Sequence, residues 1–328
     1  MRPAILLFLT LLLAPWGLAD LWAGQGARLH PVTIAYPSHS TSIVPLVIAR
    51  NQGYYQEEGL DARFVLVRGG VAVQAMIAGS VDYNTAPTVD AIIRTRQSIW
   101  VVFSASTVQF TMIARPDIRS MGDLKGKVVG ISSYGGSAHF VTEEMLRRHG
   151  VTPHRDAVLL TVGPPPDRFT ALISGSIHAT LLSTPFDFRA QELGFVNLGK
   201  ASDYLKYPQI TISVTQDKLR RQREEVHRVV RASLKGLRFY VQFPDRSVEQ
   251  LMAHLKVSDR AQVRRAYADL LGVLTPQGFL PEPDQRAIIE VTRRIAGVTH
   301  AVSPDQVFDD SFVKRAAQEL QASGWTPR

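Results

Sequence analysis

The chain has no cysteine among its 328 residues. This absence excludes a disulfide framework, a thiolate metal site, an iron–sulfur cluster, a cysteine nucleophile and a lipid-modified amino-terminal cysteine. Enzyme signatures are missing as well, since the chain contains neither a GxSxG elbow nor an HExxH motif. The stretch Gly122–Lys127 is similar to a phosphate loop, but three residues separate its glycines instead of four, and Val128 stands at the magnesium-binding position. We therefore assign no catalytic residue and no cofactor, and we expect the protein not to be an enzyme.

Long apolar runs are absent too, apart from one at the amino terminus. Ala4–Leu13 holds nine apolar residues out of ten, with Arg2 before it and small residues around Ala19 after it. The run is shorter than the roughly 20 residues that cross a bilayer. The pattern predicts a signal peptide over residues 1–19, with cleavage after Ala19 or alternatively near residue 23. The alternative is an uncleaved anchor helix that extends through Trp22, but we expect a mature chain that is soluble and exported.

The charge balance is basic, with 37 Lys and Arg against 29 Asp and Glu and a formal net charge of +8. The 45% hydrophobic and 20% charged content is typical of a folded protein. At about 150 residues per domain, the length indicates two domains. Segment 218–238 carries eight basic and two acidic residues beside apolar residues at helical spacing. We interpret it as an amphipathic helix with one buried face and a solvated basic face. We expect no nucleic-acid partner, since anionic lipid headgroups or a permease would suit an exported protein better than DNA.

Short apolar strands alternate with helices through most of the chain. Strands are predicted at 32–36, 62–67, 82–85, 99–104, 127–132, 158–162 and 178–183. Helices are predicted at 42–58, from 70 to 79, from 87, at 139–149, at 166–174 and from 185. Such alternation is typical of mostly parallel sheets flanked by helices, whose strand-to-helix turns share one edge and bind ligands there.

A weak internal repeat relates the two halves of this region. Met76–Asp82 aligns with Leu172–His178, and in both copies a helix ends at a glycine before a short strand. We interpret the repeat as two similar α/β lobes, with chance similarity as the alternative. Extended segments at 110–115 and 209–215 are expected to cross between the lobes, and the chain from residue 216 onward is predicted to be nearly all helical.

Several motifs, taken together, resemble one known family. They are the Ser/Thr turn at 38–42, then Ala49–Leu60, Ala75–Tyr83, Asp123–Gly130 with its following glycine turn, and Ala171–Gly175. In this order and spacing they resemble the periplasmic binding proteins of ABC importers in the sulfonate/nitrate/taurine group. That group shares its domain with binders of thiamine-pyrimidine precursors.

The resemblance implies a two-lobed periplasmic binding protein fold of type II, in which each lobe is a mostly parallel sheet flanked by helices and two crossing strands join the lobes. We expect lobe 1 at 30–112, lobe 2 at 113–212 and a helical return to lobe 1 at 213–328. The resemblance also implies a monomer in the periplasm. This monomer would trap a small anionic organic ligand in its cleft and deliver the ligand to a permease in the inner membrane. A pyrimidine ligand is the alternative. Related pyrimidine synthases use a cysteine-rich iron motif, which this chain cannot have.

Hydroxyls and backbone N–H groups at the strand-to-helix turns are the candidate ligand-binding groups. Helix amino termini present unpaired N–H donors and a favourable dipole, so such turns bind anions. The candidates in the first lobe are Ser38, Ser40, Thr41, Ser42, Arg68, Gly69, Gly70, Thr85 and Thr88. Those in the second lobe are Ser132, Tyr134, Gly135, Gly136, Ser137, Ser183 and Thr184. The alternative for each Ser or Thr is a helix cap worth about 1 kcal/mol.

Arg68 is the candidate with the most specific chemistry, because an arginine at a strand end could form a bidentate pair with a sulfonate, carboxylate or phosphate. The alternative is an ordinary surface arginine. The nine histidines are scattered. His149 and His154 are the closest pair, but they straddle the helix stop at Gly150, so no metal site is expected.

Export is directly testable at the amino terminus. Because residues 1–19 are predicted to be removed, protein recovered from the periplasm should begin at or shortly after residue 20, as read by intact-mass or amino-terminal sequencing. Recovery of an intact Met1 terminus from that compartment would show that cleavage does not occur.

Overall fold

The computed structural model describes residues 28–67, 71–96 and 98–328. The predicted signal peptide and both candidate cleavage positions lie outside the described residues, as do Arg68, Gly69 and Gly70. Among the described helices, none combines the length and the apolar character needed to cross a membrane.

The described strands are β1 (His30–Tyr36), β2 (Leu60–Leu66), β3 (Tyr83–Asn84), β4 (Ile99–Thr107), β5 (Thr111–Ala114), β6 (Val128–Ile131), β7 (Val158–Thr161), β8 (Ala179–Leu182), β9 (Val196–Lys200) and β10 (Pro208–Thr215). The described helices are α1 (Val44–Asn51), α2 (Tyr54–Glu57), α3 (Val71–Ile77), α4 (Val89–Thr95), α5 (Ser137–Arg148), α6 (Pro165–Ile173), α7 (Phe186–Glu192), α8 (Gln216–Arg221), α9 (Arg223–Gln242), α10 (Pro244–Leu255), α11 (Arg260–Leu271), α12 (Glu282–Ala296) and α13 (Ser311–Ala322).

The strands form two five-stranded sheets with equivalent topology. The first has the order β2-β1-β3-β10-β4 and the second the order β7-β6-β8-β5-β9. In each sheet the first three strands are parallel, and the fourth is antiparallel to both of its neighbours. Four strands of each sheet therefore run in one direction. This confirms the predicted class, two α/β lobes with mostly parallel sheets, and it places the two copies of the sequence repeat at equivalent positions.

The connections between the sheets differ in detail from the prediction. Both predicted crossing segments are strands, but each lies within one sheet: β5 in the second and β10 in the first. The chain passes between the sheets at 108–110, between β4 and β5, and at 201–207, between β9 and β10. Strand β9 at the edge of the second sheet was missed, because Val196–Lys200 is short, has only two large apolar residues and includes no fully buried one.

The helix predicted at 42–58 is interrupted. A short 3-10 turn at Thr41–Ile43 precedes α1, and Gly53, with φ of 77°, separates α1 from α2. A residue in the left-handed region ends an α-helix, and glycine adopts that conformation without steric cost. The other predicted helices are present with ends shifted by a few residues.

The predicted solvated basic face of segment 218–238 is wrong. The segment contains α9, which packs against α1, α2 and α13 and is buried over most of its length. Lys235 lies 2.7 Å from a Glu58 carboxylate oxygen, and Arg231 forms ion pairs with Glu58 and Glu319. Lys218 is held by Asp82 and Glu225. The basic residues thus neutralise acidic groups of neighbouring helices, and Arg220, Arg221 and Arg223 remain as the exposed part of the stretch.

One buried apolar cluster extends across both sheets. It includes Val101 of β4 in the first sheet, Val129 of β6 in the second and Ile288 of α12. Helix α12 packs against α4 of the first lobe and α5 of the second. The helical segment after residue 216 therefore packs on the first lobe through α9 and α13 and touches the second lobe through α12. These contacts hold the strand-to-helix turns of the two sheets opposite each other.

The contact of α9 with α1 is close enough to be tested. A Cβ atom at Gly236 would lie 2.7 Å from Ala49 Cβ and closer still to the Pro45 carbonyl oxygen. Gly236→Ala should therefore lower the free energy of unfolding by about 1–3 kcal/mol in urea titrations. Gly272→Ala is the control, because its nearest neighbouring atom is 3.6 Å away and its φ is −67°. That variant should be neutral or stabilised by at most about 1 kcal/mol. Equal stability of the two variants would contradict the close approach.

Candidate functional site

A cavity of about 460 Å³ lies between the two lobes. From the first lobe it is lined by the turn after β1 and by the starts of α3 and α4, and from the second by the turns after β6, β7 and β8. Gln109 and Phe110 of one interlobe connection complete the wall, with Gln209 of β10. The walls are more apolar than polar. Concave sites of this size and character are typical of small-molecule binding.

Nine of the predicted ligand-binding residues line this cavity: Ser38, Ser40, Ser42, Ser132, Tyr134, Gly135, Gly136, Ser137 and Ser183. The prediction used only their position after strands, and the equivalent topology of the two sheets brings them together. Their role in binding stays a prediction.

Four other candidates lie outside the cavity lining, and their hydroxyls have partners within the protein. Thr85 donates to the Ala35 carbonyl at 3.0 Å, and Thr88 Oγ1 lies 2.8 Å from Ser213 Oγ. Thr41 accepts a hydrogen bond from Gln109, and Thr184 donates to Asp269 at 3.1 Å. Arg68, Gly69 and Gly70 lie outside the described residues, so their placement stays a prediction.

The capping alternative does not explain these hydroxyls. Ser40 and Thr88 both stand at the N-cap position of a helix, yet neither side chain makes a capping hydrogen bond. Ser40 Oγ lies 3.0 Å from Ser42 Oγ instead. The N-cap residue of α5 is Gly136, which has no side chain to cap with. The capping alternative is therefore wrong for Ser40 and Thr88.

Gly135 is one point at which the two lobes approach each other closely. Its φ is +79°, and a Cβ atom there would lie 2.9 Å from Asp90 Oδ2 on α4. Asp90 is held by Arg94, whose Nε is 2.6 Å from Oδ1. Burial raises the pKa of Asp90 above its usual value, against the opposing effect of Arg94. Any side chain at 135 would push the lobes apart or displace the carboxylate.

Arg168 of α6 is the functional candidate that sequence reasoning missed. The residue lines the cavity and is only 1% exposed. Its Nε and Nη2 donate to the Leu181 carbonyl at 3.1 and 2.9 Å, and its Nη1 donates to the Gly163 carbonyl at 2.8 Å. A guanidinium has five N–H groups, so these bonds leave one on each terminal nitrogen without a partner among the described residues. Burial lowers the pKa of Arg168 to about 10, which still leaves it charged at neutral pH.

Arg168 has no carboxylate partner among the described residues, and neutral carbonyls hold it instead. Three consecutive prolines, 164–166, begin its helix. Proline has no N–H, so Pro165 and Pro166 remove donors that a helix start usually offers to an anion. The guanidinium therefore supplies the positive charge at this turn. The sequence contained one indication that Arg168 is buried. Arg168 stands four residues before Leu172, so both lie on the apolar face of the helix.

Two carboxylates, Asp187 and Asp269, lie close to Thr184. Asp187 of α7 is 4% exposed and accepts hydrogen bonds from Thr111 Oγ1 and the Phe188 N–H. Asp269 of α11 accepts from Thr184, the residue that also faces Asp187. Burial raises the pKa of Asp187 to about 6, and the charge of Asp269 adds to the effect.

This pKa predicts a pH dependence of stability. The folded protein holds a proton on Asp187 up to about pH 6, whereas an unfolded aspartate releases it near 3.8. The unfolding free energy should therefore fall as pH rises from about 4 to about 6, by at most about 3 kcal/mol from this group. Asp187→Asn should remove that fall in urea titrations at pH 4 to 7, whereas Asp245→Asn, an exposed control, should keep it. If the difference in unfolding free energy between wild type and D187N does not change with pH, the assignment is contradicted.

Comparison with known proteins agrees with this architecture. The family model described as NMT1/THI5 like matches residues 40–247. The putative binding protein YtlA of Bacillus subtilis is 27% identical over 151 residues, which cover 42% of this chain and 43% of that protein. A putative binding protein of Brucella abortus is 26% identical over 240 residues, covering 71% of this chain and 74% of its own length.

Solved structures show the same fold at low identity. The periplasmic nitrate-binding protein NrtA from Synechocystis superposes with a TM-score of 0.72 at 14% identity, over 90% of each chain. The alkanesulfonate-binding protein SsuA from Xanthomonas axonopodis, bound to MOPS, has a TM-score of 0.68 at 17% identity, over 88% of this chain and 98% of its own. The two-lobed architecture and the family match lead to one conclusion: the chain belongs to the NMT1/THI5-like family and has the fold of the periplasmic binding proteins.

Proposed function

We propose that this protein is the extracytoplasmic solute-binding component of an ABC importer, acting as a monomer in the periplasm. It captures a small anionic organic compound, similar to a sulfonate, nitrate or taurine, in the interlobe cavity and passes it to an inner-membrane permease. We assign it no catalytic residue and no cofactor. Family membership, the fold and the cavity between the lobes support this function.

Arg168 is the observation that carries the proposal. Removing a charged group from water costs several kcal/mol unless an opposite charge compensates it. Arg168 is nearly fully buried, stays charged at neutral pH and is held by neutral carbonyls. An acid group on the ligand would supply the missing negative charge and accept the two N–H groups left on the terminal nitrogens. Planar guanidinium groups suit carboxylates, sulfonates and related oxyanions in this way.

The groups around Arg168 support an organic rather than a purely inorganic anion. Ser137 donates to Gln209 at 3.0 Å across the lobes, and its helix α5 begins at the cavity wall. Phe110 places its ring 6.0 Å from the Arg168 guanidinium carbon. Apolar residues such as Val73 and Pro164 form other parts of the wall. The polar end of a ligand would bind Arg168, and its carbon skeleton would contact the apolar part.

The relatives support the same ligand class. The structures of similar fold include one that is named nitrate-binding and one that is named alkanesulfonate-binding and has MOPS bound. Both names describe ligands that carry negatively charged oxygen atoms.

Capture is proposed to use closure of the lobes about the connections at 108–110 and 201–207. A ligand that contacts both lobes binds the closed form more tightly and so shifts the population towards it. The nine cavity-lining turn residues, together with Arg68, Gly69 and Gly70, stay candidates for these contacts.

A pyrimidine ligand is the second candidate, favoured by acceptors in the cavity wall. Gln109 Oε1 is buried without a hydrogen-bond partner, and Asp90 Oδ2 faces the second lobe. Both oxygens could accept N–H groups of an aminopyrimidine. Tyr134 is 56% exposed and could stack on a flat ring.

A thermal-shift panel of taurine, alkanesulfonates, nitrate, carboxylates and pyrimidines tests both candidates. We expect sulfonates or carboxylates to raise the melting temperature by several degrees, since a ligand at about 100 times its Kd stabilises the fold by about 2.7 kcal/mol. In Arg168→Met the shift should disappear, because the side chain keeps its length but loses its charge. Arg168→Lys should show a smaller shift, because a lysine keeps the charge without the planar pair of donors.

Arg189→Met provides the matched control. Arg189 is an exposed arginine of the same lobe that stacks on Phe169 at 5.5 Å and does not line the cavity. It should keep the full response to anions. An undiminished anion shift in folded R168M protein would remove Arg168 from the site, and a response to pyrimidines alone would select the second candidate.

A further inference from the structure

A cluster of three metal-ligating side chains lies behind the cavity wall, apart from Arg168. His139 and Glu143 stand on α5, and His154 belongs to the turn that follows this helix. His139 Nε2 and His154 Nε2 each lie 2.9 Å from Glu143 Oε1. The three ligand atoms all lie within 4.8 Å of one another.

We propose that His139, Glu143 and His154 form a binding site for a divalent transition-metal ion of the zinc class. Two imidazole nitrogens and one carboxylate are a ligand set that Zn²⁺ uses in proteins, with a fourth position left for water or another ligand. Imidazole suits zinc, copper, iron and nickel better than it suits magnesium or calcium, which prefer oxygen ligands.

The fold places the three groups on one side of α5. Residues four apart on a helix share a face, so His139 and Glu143 are neighbours by spacing alone. The turn after the helix returns the chain towards that face, and His154 occupies it with φ of +67°. The His139 and Glu143 side chains are 4% and 3% exposed, while that of His154 is 49% exposed. An ion can therefore reach the cluster from the His154 side, where the fourth position would lie.

Glu143 has an oxygen that the protein leaves without a hydrogen bond. Its Oε2 is buried and makes no aligned hydrogen bond, but it is ion-paired with Arg147, whose Nη1 lies 2.7 Å away. Arg147 is 34% exposed, so its guanidinium can withdraw into solvent when a cation takes its place. A buried carboxylate with two imidazoles against one oxygen and a half-exposed arginine at the other is an arrangement that a metal ion would complete.

Coordination would also rearrange a hydrogen bond next to the cavity. The Gly135 N–H donates to His139 Nδ1 at 3.2 Å, so in the metal-free protein the His139 proton resides on Nε2. A metal on Nε2 requires that proton to move to Nδ1. The Gly135 hydrogen bond is then lost, in exchange for three coordination bonds. The Tyr134 ring, which packs 5.0 Å from His139 and 5.9 Å from His154, would report the change.

The sequence analysis expected no metal site and considered only a different pair of histidines. His149 and His154 are closest along the chain, but His149 Nε2 bonds to Tyr204 Oη at 2.9 Å and is not part of the cluster. His139 is fifteen positions before His154, and only the helix and its return turn bring the two together.

Zinc binding by the full mature chain tests the proposal. Chelator-treated protein is titrated with Zn²⁺ against a chromophoric competitor, and with Co²⁺ followed by visible absorption. We expect one site per chain, and in His154→Ala a loss of Zn²⁺ affinity of at least about 100-fold, the upper end of what losing an outer-shell partner costs. His154 is half exposed, so this variant should fold. His149→Ala is the matched control and should bind Zn²⁺ as the wild type does.

A second readout locates the ion. In ¹H–¹⁵N spectra of glycine-labelled protein, the Gly135 amide should shift on addition of one equivalent of Zn²⁺ and should stay in place in H154A. Wild-type binding weaker than about 100 μM, equal Zn²⁺ affinity of wild type and H154A, or an unmoved Gly135 amide would each overturn the proposal.

Discussion

The buried charge of Arg168 is the constraint on which the proposed binding site depends. The guanidinium is almost completely removed from water and satisfied on one side by the carbonyl oxygens of Leu181 and Gly163. These carbonyls belong to β8 and to the turn after β7, so the second sheet fixes the direction in which the remaining N–H groups point. Neutral carbonyls satisfy hydrogen bonds but do not cancel a charge. The protein therefore holds a cation ready at the place where an anionic ligand is proposed to bind.

The rest of the fold brings partners to that charge. Two sheets of equivalent strand order put their strand-to-helix turns on facing edges, and α12 packs on both lobes behind them. The absence of a Cβ atom at Gly135 permits the approach to Asp90, and the Ser137–Gln209 hydrogen bond spans the lobes. Basic residues of α9, in contrast, form ion pairs with acidic neighbours such as Glu58 and contribute stability within the first lobe rather than a surface for partners.

Local signals in the sequence predicted most of the architecture. Glycines such as Gly79 and Gly175 end helices with positive φ, and the repeat around them predicted two equivalent lobes. Nine turn residues were placed at the cavity because strand ends share an edge in such sheets. Arg168 was missed because its burial depends on how α6 packs against β8. The solvated face assigned to 218–238 was wrong because Glu58 and Glu319, distant in sequence, supply the neutralising charges.

The central claim is that a ligand acid group compensates Arg168. The most direct measurement is a crystal structure of the protein with the compound that co-purifies with it. We expect an oxyanion within hydrogen-bond distance of Arg168 Nη1 and Nη2, with the carbon skeleton against the apolar wall. A ligand bound in the cavity with its acid group directed away from Arg168, or a neutral ligand that leaves the guanidinium without an anion, would contradict it.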